Sequence, residues 1–494
     1  MKTIGHWIGG RLVTPKSGRT SPVYDPARGL QTAEVGLAST DQVAEIVKMA
    51  VDASTEWAAK SLSQRANLLF RLRELLDAHR GDLASAITSE HGKVLSDAHG
   101  EIARGLECVE FACGIPQLLK GSHSSEVSTG VDVHTVLHPV GVVAGITPFN
   151  FPVMVPLWML ANAIACGNAF VLKPSEKDPS ASLLLAELVQ RAGFPDGVFN
   201  VVQGDAEAVT ALLCHPDVDA VSFVGSTPVA RHVYEIGTAH GKRVQALGGA
   251  KNHMVVLPDA NIDAAANAAV SAAYGSAGER CMAISIVVAV GAVADPLVEA
   301  IASRIPEIVI GPGDDPASMM GPLITREHRD RVRSYIERAP SEGARVVVDG
   351  LISTPRDGFF SGCSLLDGVK PGMRVYDDEI FGPVLGVVRV SSYVEAVELI
   401  NANPYGNGVA LFTRDGSAAR RFEREIQVGM VGINVPIPVP VAWQSFGGWK
   451  ASIFGDAPIY GPEGIRFYTR PKVVTSRWRD MASSEIDLGF PNHR

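Results

Sequence analysis

The chain has 494 residues, too many for one ordinary hydrophobic core, so two or three domains are expected. Apolar residues make up 46%, charged residues 20%, and 49 glycines are spread along the chain, which fits an ordered α/β protein and excludes disordered and fibrous classes. A formal charge of -9 argues against a nucleic-acid partner, and the absence of a bilayer-length apolar run or a hydrophobic leader argues against a membrane partner, so a cytoplasmic location is expected.

In chain order, Val43, Ile46, Val47, Ala50 and Val51 fall at helical spacing behind the cap candidates Ser39 and Thr40, and Leu68, Leu72, Leu75 and Leu76 repeat the pattern. The segment 122–138 alternates polar and apolar residues as an exposed hairpin would. From Val140 the β-rich runs VGVVAGI, NAFVLK, VFNVV and AVSFVG alternate with helical stretches such as SASLLLAELVQRAG, which predicts a parallel sheet wound on both faces. A second α/β region begins near Met254, with the strands MVVL, SIVVAV and ARVVVD, and the tail FYTRPKVVTSRW is strand-like.

The cysteines Cys108, Cys113, Cys166, Cys214, Cys281 and Cys363 are scattered, without a CxxC pair or histidines at zinc spacing, so no metal site is expected. Cys281 differs from the others in its surroundings: GSAGERCMA is a poor sequence for a buried strand or helix and suits a thiol presented at an opening. A thiolate there could attack a carbonyl carbon, given fixed donors for the resulting oxyanion.

GSAGERC resembles the nucleophile motif of the aldehyde dehydrogenase superfamily, and ITPFNFP, VLKPSE, FVGST, EIFGP and NPYGNGVALFT resemble further motifs of that family across nearly the whole chain. The resemblance implies the aldehyde dehydrogenase fold, with a Rossmann-like cofactor domain (1–121 and 140–246), an α/β catalytic domain (247–440), β oligomerisation strands (122–139 and 466–490) and a return segment (441–465). A homodimer or homotetramer is implied. Cys281 would be the nucleophile, and Asn150 would donate its amide to the oxyanion beside the Cys281 N–H; an Asn capping a helix is the competing reading.

The implied cofactor is NAD. Thr147 and Phe149 fall in ITPFNFP, and Lys173 and Glu176 would hydrogen-bond the adenine ribose, with Glu176 repelling a 2′-phosphate and favouring NAD over NADP; an ordinary loop ion pair is the alternative. No GxGxxG fingerprint occurs, and Gly225 and Ser226 would instead sit at a strand-to-helix turn near the pyrophosphate, followed by Pro228. Glu379 and Phe381 would position the nicotinamide ribose and ring, unless Glu379 is a surface turn carboxylate.

Hydrolytic members of the family carry a water-activating glutamate in ELGGK, whereas this chain reads QALGGAKN, with Ala246 or Leu247 at that position. A thioester lacking that base should persist until a thiol attacks it. GAKNH, GERCMA, NVPIPVP and FYT…K…RW resemble the methylmalonate-semialdehyde dehydrogenase branch, which implies coenzyme A as co-substrate, decarboxylation, and propionyl-CoA or acetyl-CoA as product. The semialdehyde carboxylate would be gripped by Arg280 and Arg104, although Arg104 could instead pair with Glu101 one turn earlier. The rival readings are a hydrolytic aldehyde dehydrogenase and a catalytically inactive binding protein on the same fold.

Overall fold

The computed structural model describes residues 2–478 apart from positions 353 and 356. The first α/β unit is built on an eight-stranded sheet in the order Ile453–Phe454, Arg243–Leu247, Ala220–Val224, Val142–Ile146, Ala169–Lys173, Phe199–Val201, His6–Ile8, Arg11–Val13. The five strands from Arg243–Leu247 to Phe199–Val201 are parallel, and the antiparallel strands lie at the edges. Val142–Ile146 starts the winding, which proceeds outward on both sides of it, so the order reverses beside this strand. A crevice at the carboxyl ends of strands beside such a reversal is where open α/β sheets bind ligands.

The helices that cover this sheet follow from their sequences. Thr40–Ala59 is capped by Ser39, whose side chain accepts from the Gln42 N–H, and it buries Val43, Ile46, Val47 and Ala50. Leu62–Ala78 opens on a capping box formed by Ser61 and Gln64. Met154–Ala165 is apolar around its circumference apart from Asn162, and every residue in it is buried. Its Trp158 packs against Phe446 and Tyr460 at ring-centroid distances of 4.9 and 5.1 Å, which ties the return segment to this core.

The second unit holds a seven-stranded sheet in the order Arg345–Val348, Ser364–Asp367, Val384–Val390, Ile284–Val290, Asn252–Val256, Gly408–Phe412, Met430–Ile433, parallel except for its first pair. Leu247, placed with the catalytic domain on sequence grounds, is instead the last residue of a strand in the first sheet, and the chain crosses over through Gly248–Lys251. Thr469–Arg477, Val131–Pro139 and His123–Ser128 form a separate three-stranded sheet with Thr469–Arg477 at its edge. The tail strand thus begins later than expected, because Arg466 and Phe467 close the helix Gly461–Phe467; the expected stretch 479–490 lies outside the described residues.

Candidate active site

Cys281 follows the helix Ile262–Tyr274 and a tight turn, Gly275–Gly278, and precedes the strand Ile284–Val290. Ser276, Ala277 and Gly278 all adopt left-handed backbone, with φ of 54°, 52° and 73°. Non-glycine residues enter that region only when their surroundings enforce it, so the turn is strained and its geometry over-determined. Among the constraints, the Cys281 carbonyl accepts from the side-chain amides of Asn252 at 2.8 Å and Asn407 at 3.0 Å. These contacts account for the asparagines in the GGAKN and NPYGNG segments: they hold the backbone that carries the thiol.

Burial, with the Glu379 carboxylate second, pushes the half-exposed Cys281 thiol up to about 12, so it rests protonated. Asn150 is buried, and its Nδ2 donates to the Glu279 carbonyl at 3.0 Å across the cleft between the units. The helix-capping reading fails: the adjacent helix Met154–Ala165 has no side-chain bond from its own N-cap residue, and its first N–H groups are met by Glu101. An asparagine amide has two N–H bonds, so the anchor to Glu279 leaves one for an oxyanion.

A cleft of about 710 Å³ runs from Cys281 over the carboxyl ends of the first sheet, and Thr147, Phe149, Asn150, Lys173, Glu176, Gly225, Ser226, Glu379 and Phe381 all line it. Lys173 is buried and Glu176 half-buried, with Nζ 3.4 Å from Oε2, so the loop ion pair does form, inside the cleft wall. Ser226 is the N-cap of Thr227–Ala239 without a side-chain capping bond, and Pro228 lies in the first turn, so N–H groups at this end are available to an anion. Gly225 has no room for a Cβ, which would overlap the Phe223 ring. These features fit a dinucleotide: a donor and an acceptor for ribose hydroxyls at one end, and an open helix terminus for pyrophosphate in the middle.

Glu379 is half-buried and not a free surface carboxylate: its Oε1 accepts from the Ala250 N–H at 2.9 Å, and burial raises its pKa. Phe381 sits at a left-handed φ of 57°, with its ring edge-on to Phe149 at 5.9 Å and its carbonyl bonded to His328 Nε2 at 2.7 Å. His328 and Arg331 are cleft residues that sequence reasoning missed. They lie in the strongly charged helix Arg326–Glu342, whose pattern reads as a solvated surface.

On the far side of the thiol a pocket of about 350 Å³ is lined by Arg104, Arg280, Cys281 and a largely apolar wall that includes Phe151, Trp158 and Val439. Both predicted arginines therefore face one pocket. Arg280 Nη2 bonds Asp97 at 2.6 Å. Arg104 does not pair with Glu101: it meets Glu107 one turn later at 2.8 Å and the Pro440 carbonyl at 2.7 Å, because Glu101 is engaged by Lys93. Ala246 and Leu247 are buried strand residues with apolar side chains, paired with Phe454 and Ile453.

Two openings thus converge on one thiol, and Asn150 lines the larger of them. The aldehyde dehydrogenase family profile matches residues 12–474. Malonate-semialdehyde dehydrogenase of Pseudomonas aeruginosa is 52% identical over 497 residues, covering 100% of both chains. The structure of methylmalonate-semialdehyde dehydrogenase from Oceanimonas doudoroffii superposes with a TM-score of 0.96 at 53% identity, covering 97% of this chain and 99% of the other. A Sinorhizobium meliloti protein solved in complex with NAD gives a TM-score of 0.96 at 50% identity, covering 98% and 99%. By sequence, fold and the arrangement of its cleft, the chain belongs to the aldehyde dehydrogenase family.

Proposed function

We propose that the protein oxidises malonate or methylmalonate semialdehyde with NAD and transfers the decarboxylated acyl group to coenzyme A. Cys281, which rests protonated, gives its thiol proton to solvent and attacks the aldehyde carbon as its thiolate, and the oxyanion of the thiohemiacetal is held by the free N–H of Asn150 and the backbone N–H of Cys281. NAD in the larger cleft serves as hydride acceptor, which leaves the acyl group as a thioester on Cys281. Arg280 and Arg104 orient the substrate carboxylate, which lies β to the thioester carbonyl. Loss of CO2 leaves an enolate whose oxygen occupies the same oxyanion site, and a proton added at carbon gives the acyl thioester. The coenzyme A thiolate then displaces Cys281.

The observation that carries the transfer reading is the character of Ala246 and Leu247: both are buried and apolar where a hydrolytic relative would hold its base. Water has no activated route there, whereas a thiol attacks a thioester without a base. The outer edge of Thr469–Arg477, with Val473 64% exposed, supports assembly into a dimer or tetramer through these strands. The test is NADH formation from malonate semialdehyde with and without coenzyme A, with the product identified by mass. Continued turnover to acetyl-CoA and CO2 is expected only when coenzyme A is present, with no more than one equivalent of NADH and CO2 per Cys281 without it; free acid at a rate indifferent to coenzyme A would make the enzyme hydrolytic.

A further inference from the structure

Asn150 is gripped through its backbone as well as its side chain, by a buried ion pair that no step of the proposed reaction uses. Lys93 follows the left-handed Gly92 at the end of the helix Arg80–His91, and its side chain is fully buried, as is that of its partner Glu101. Lys93 Nζ donates to the Asn150 carbonyl at 2.6 Å and to Glu101 Oε2 at 2.8 Å, and it stands 4.4 Å from the centroid of the Phe151 ring. The other oxygen of Glu101 accepts from the N–H groups of Val153 at 2.8 Å and Met154 at 3.1 Å. The backbone from Asn150 to Met154, which joins the oxyanion asparagine to its helix, is therefore held by one ammonium and one carboxylate on neighbouring segments.

A buried ion pair seldom stabilises a fold more than apolar residues of the same volume would, so stability alone is a weak reason for this one. What the pair does supply is direction. Each charge reaches into the same loop, and apart from the bond between the two charges their contacts are to backbone or ring atoms from Asn150 to Met154, which set where Asn150 stands relative to Cys281. An oxyanion donor lowers the barrier only when it is already in place as charge develops, and a displacement of about 1 Å can cost on the order of 100-fold in rate.

We infer that Lys93 and Glu101 are positioning residues for the oxyanion site, acting through Asn150; the inference rests on the oxyanion role proposed for that residue. The pair leaves the cofactor cleft alone: neither residue lines it. Their effect should appear in acyl-enzyme formation and leave cofactor affinity unchanged.

The measurement is the pre-steady-state burst of NADH from malonate semialdehyde, with NAD affinity determined separately by calorimetry. Asn150→Ala should slow the burst by about 10²- to 10³-fold, as removal of one oxyanion donor does, and Lys93→Met by about 10- to 100-fold. The double variant should be no slower than Asn150→Ala alone, because both changes disable the same device. Glu101→Gln keeps an oxygen for the Val153 and Met154 N–H groups and should give a smaller loss, with the same non-additivity; it decides the matter if Lys93→Met does not fold. Multiplicative losses in the double variants, or a loss confined to NAD affinity with the burst intact, would overturn the assignment. A slow Asn150→Ala enzyme beside normal Lys93 and Glu101 variants defeats the positioning role alone, whereas a normal Asn150→Ala burst defeats the oxyanion reading with it.

Discussion

Replacing Glu279 with glutamine should flatten the pH dependence of stability through the neutral range. Glu279 is fully buried two residues before the nucleophile, and its carboxyl is pushed up to about 8 by burial, against smaller lowering influences from the Ile324 N–H at 3.2 Å and the Lys177 and Lys93 ammoniums. His91 and His328 flank it with Nε2 atoms 3.7 and 3.6 Å from its oxygens, yet burial pulls both imidazoles down, His328 to about 4, so neither offers a cation at neutral pH. The folded chain therefore keeps a proton that the unfolded chain releases near 4.5. The stabilising contribution is fully present below the unfolded value and is lost as pH rises through the folded one. At about 1.4 kcal/mol per unit of pKa difference, the loss is on the order of 3–5 kcal/mol between the two limits. Glutamine keeps the acceptor for Ile324 and cannot ionise, so Glu279→Gln should match the parent near pH 5 and exceed it above about pH 8. Denaturant melts of both proteins across that range measure the difference. Parallel pH profiles would show that Glu279 is ionised throughout and refute the argument.

Because burial and then the Glu379 carboxylate raise the Cys281 thiol, Glu379→Gln should speed its alkylation by iodoacetamide at neutral pH, read by peptide mass so that exposed Cys214 is counted separately; an unchanged rate would remove Glu379 as a cause. A methyl group on Gly275 would overlap the Arg280 guanidinium, so Gly275→Ala, like Arg280→Leu, should raise KM for semialdehydes that carry a carboxylate and spare propanal; equal losses on both substrates would make Arg280 structural. Glu176→Gln should narrow the preference for NAD over NADP by about tenfold, the order of one lost charge repulsion, and an unaltered ratio of kcat/KM would place the discrimination elsewhere.

The elements that position the site were legible where local pattern and tertiary role agree. The runs VGVVAGI, NAFVLK and AVSFVG do form the parallel strands Val142–Ile146, Ala169–Lys173 and Ala220–Val224 whose carboxyl ends carry the cleft, and the approach to Cys281, a poor sequence for a strand or helix, is a turn with three consecutive left-handed residues. The Lys93–Glu101 pair was not legible. Helical spacing joins Glu101 to Arg104, and that rule cannot see that Lys93 arrives from the preceding segment or that the Asn150 carbonyl lies 57 residues along the chain. The charged helix Arg326–Glu342 hides His328 and Arg331 for a related reason: its buried face, Val332, Tyr335 and Ile336, is narrow, and the residues beside that face reach the cleft only because the loop around Phe381 passes over them.

The turn before Cys281 also bears on whether this nucleophile could be moved to another protein. Gly278 lies so near the Gly382 carbonyl that a Cβ would overlap it, while amides from Asn252 and Asn407 clasp the next stretch of backbone. GSAGERC is therefore one face of a lock whose other faces come from three distant segments. A designer who grafts the heptapeptide alone would transplant a cysteine without the shape that presents it.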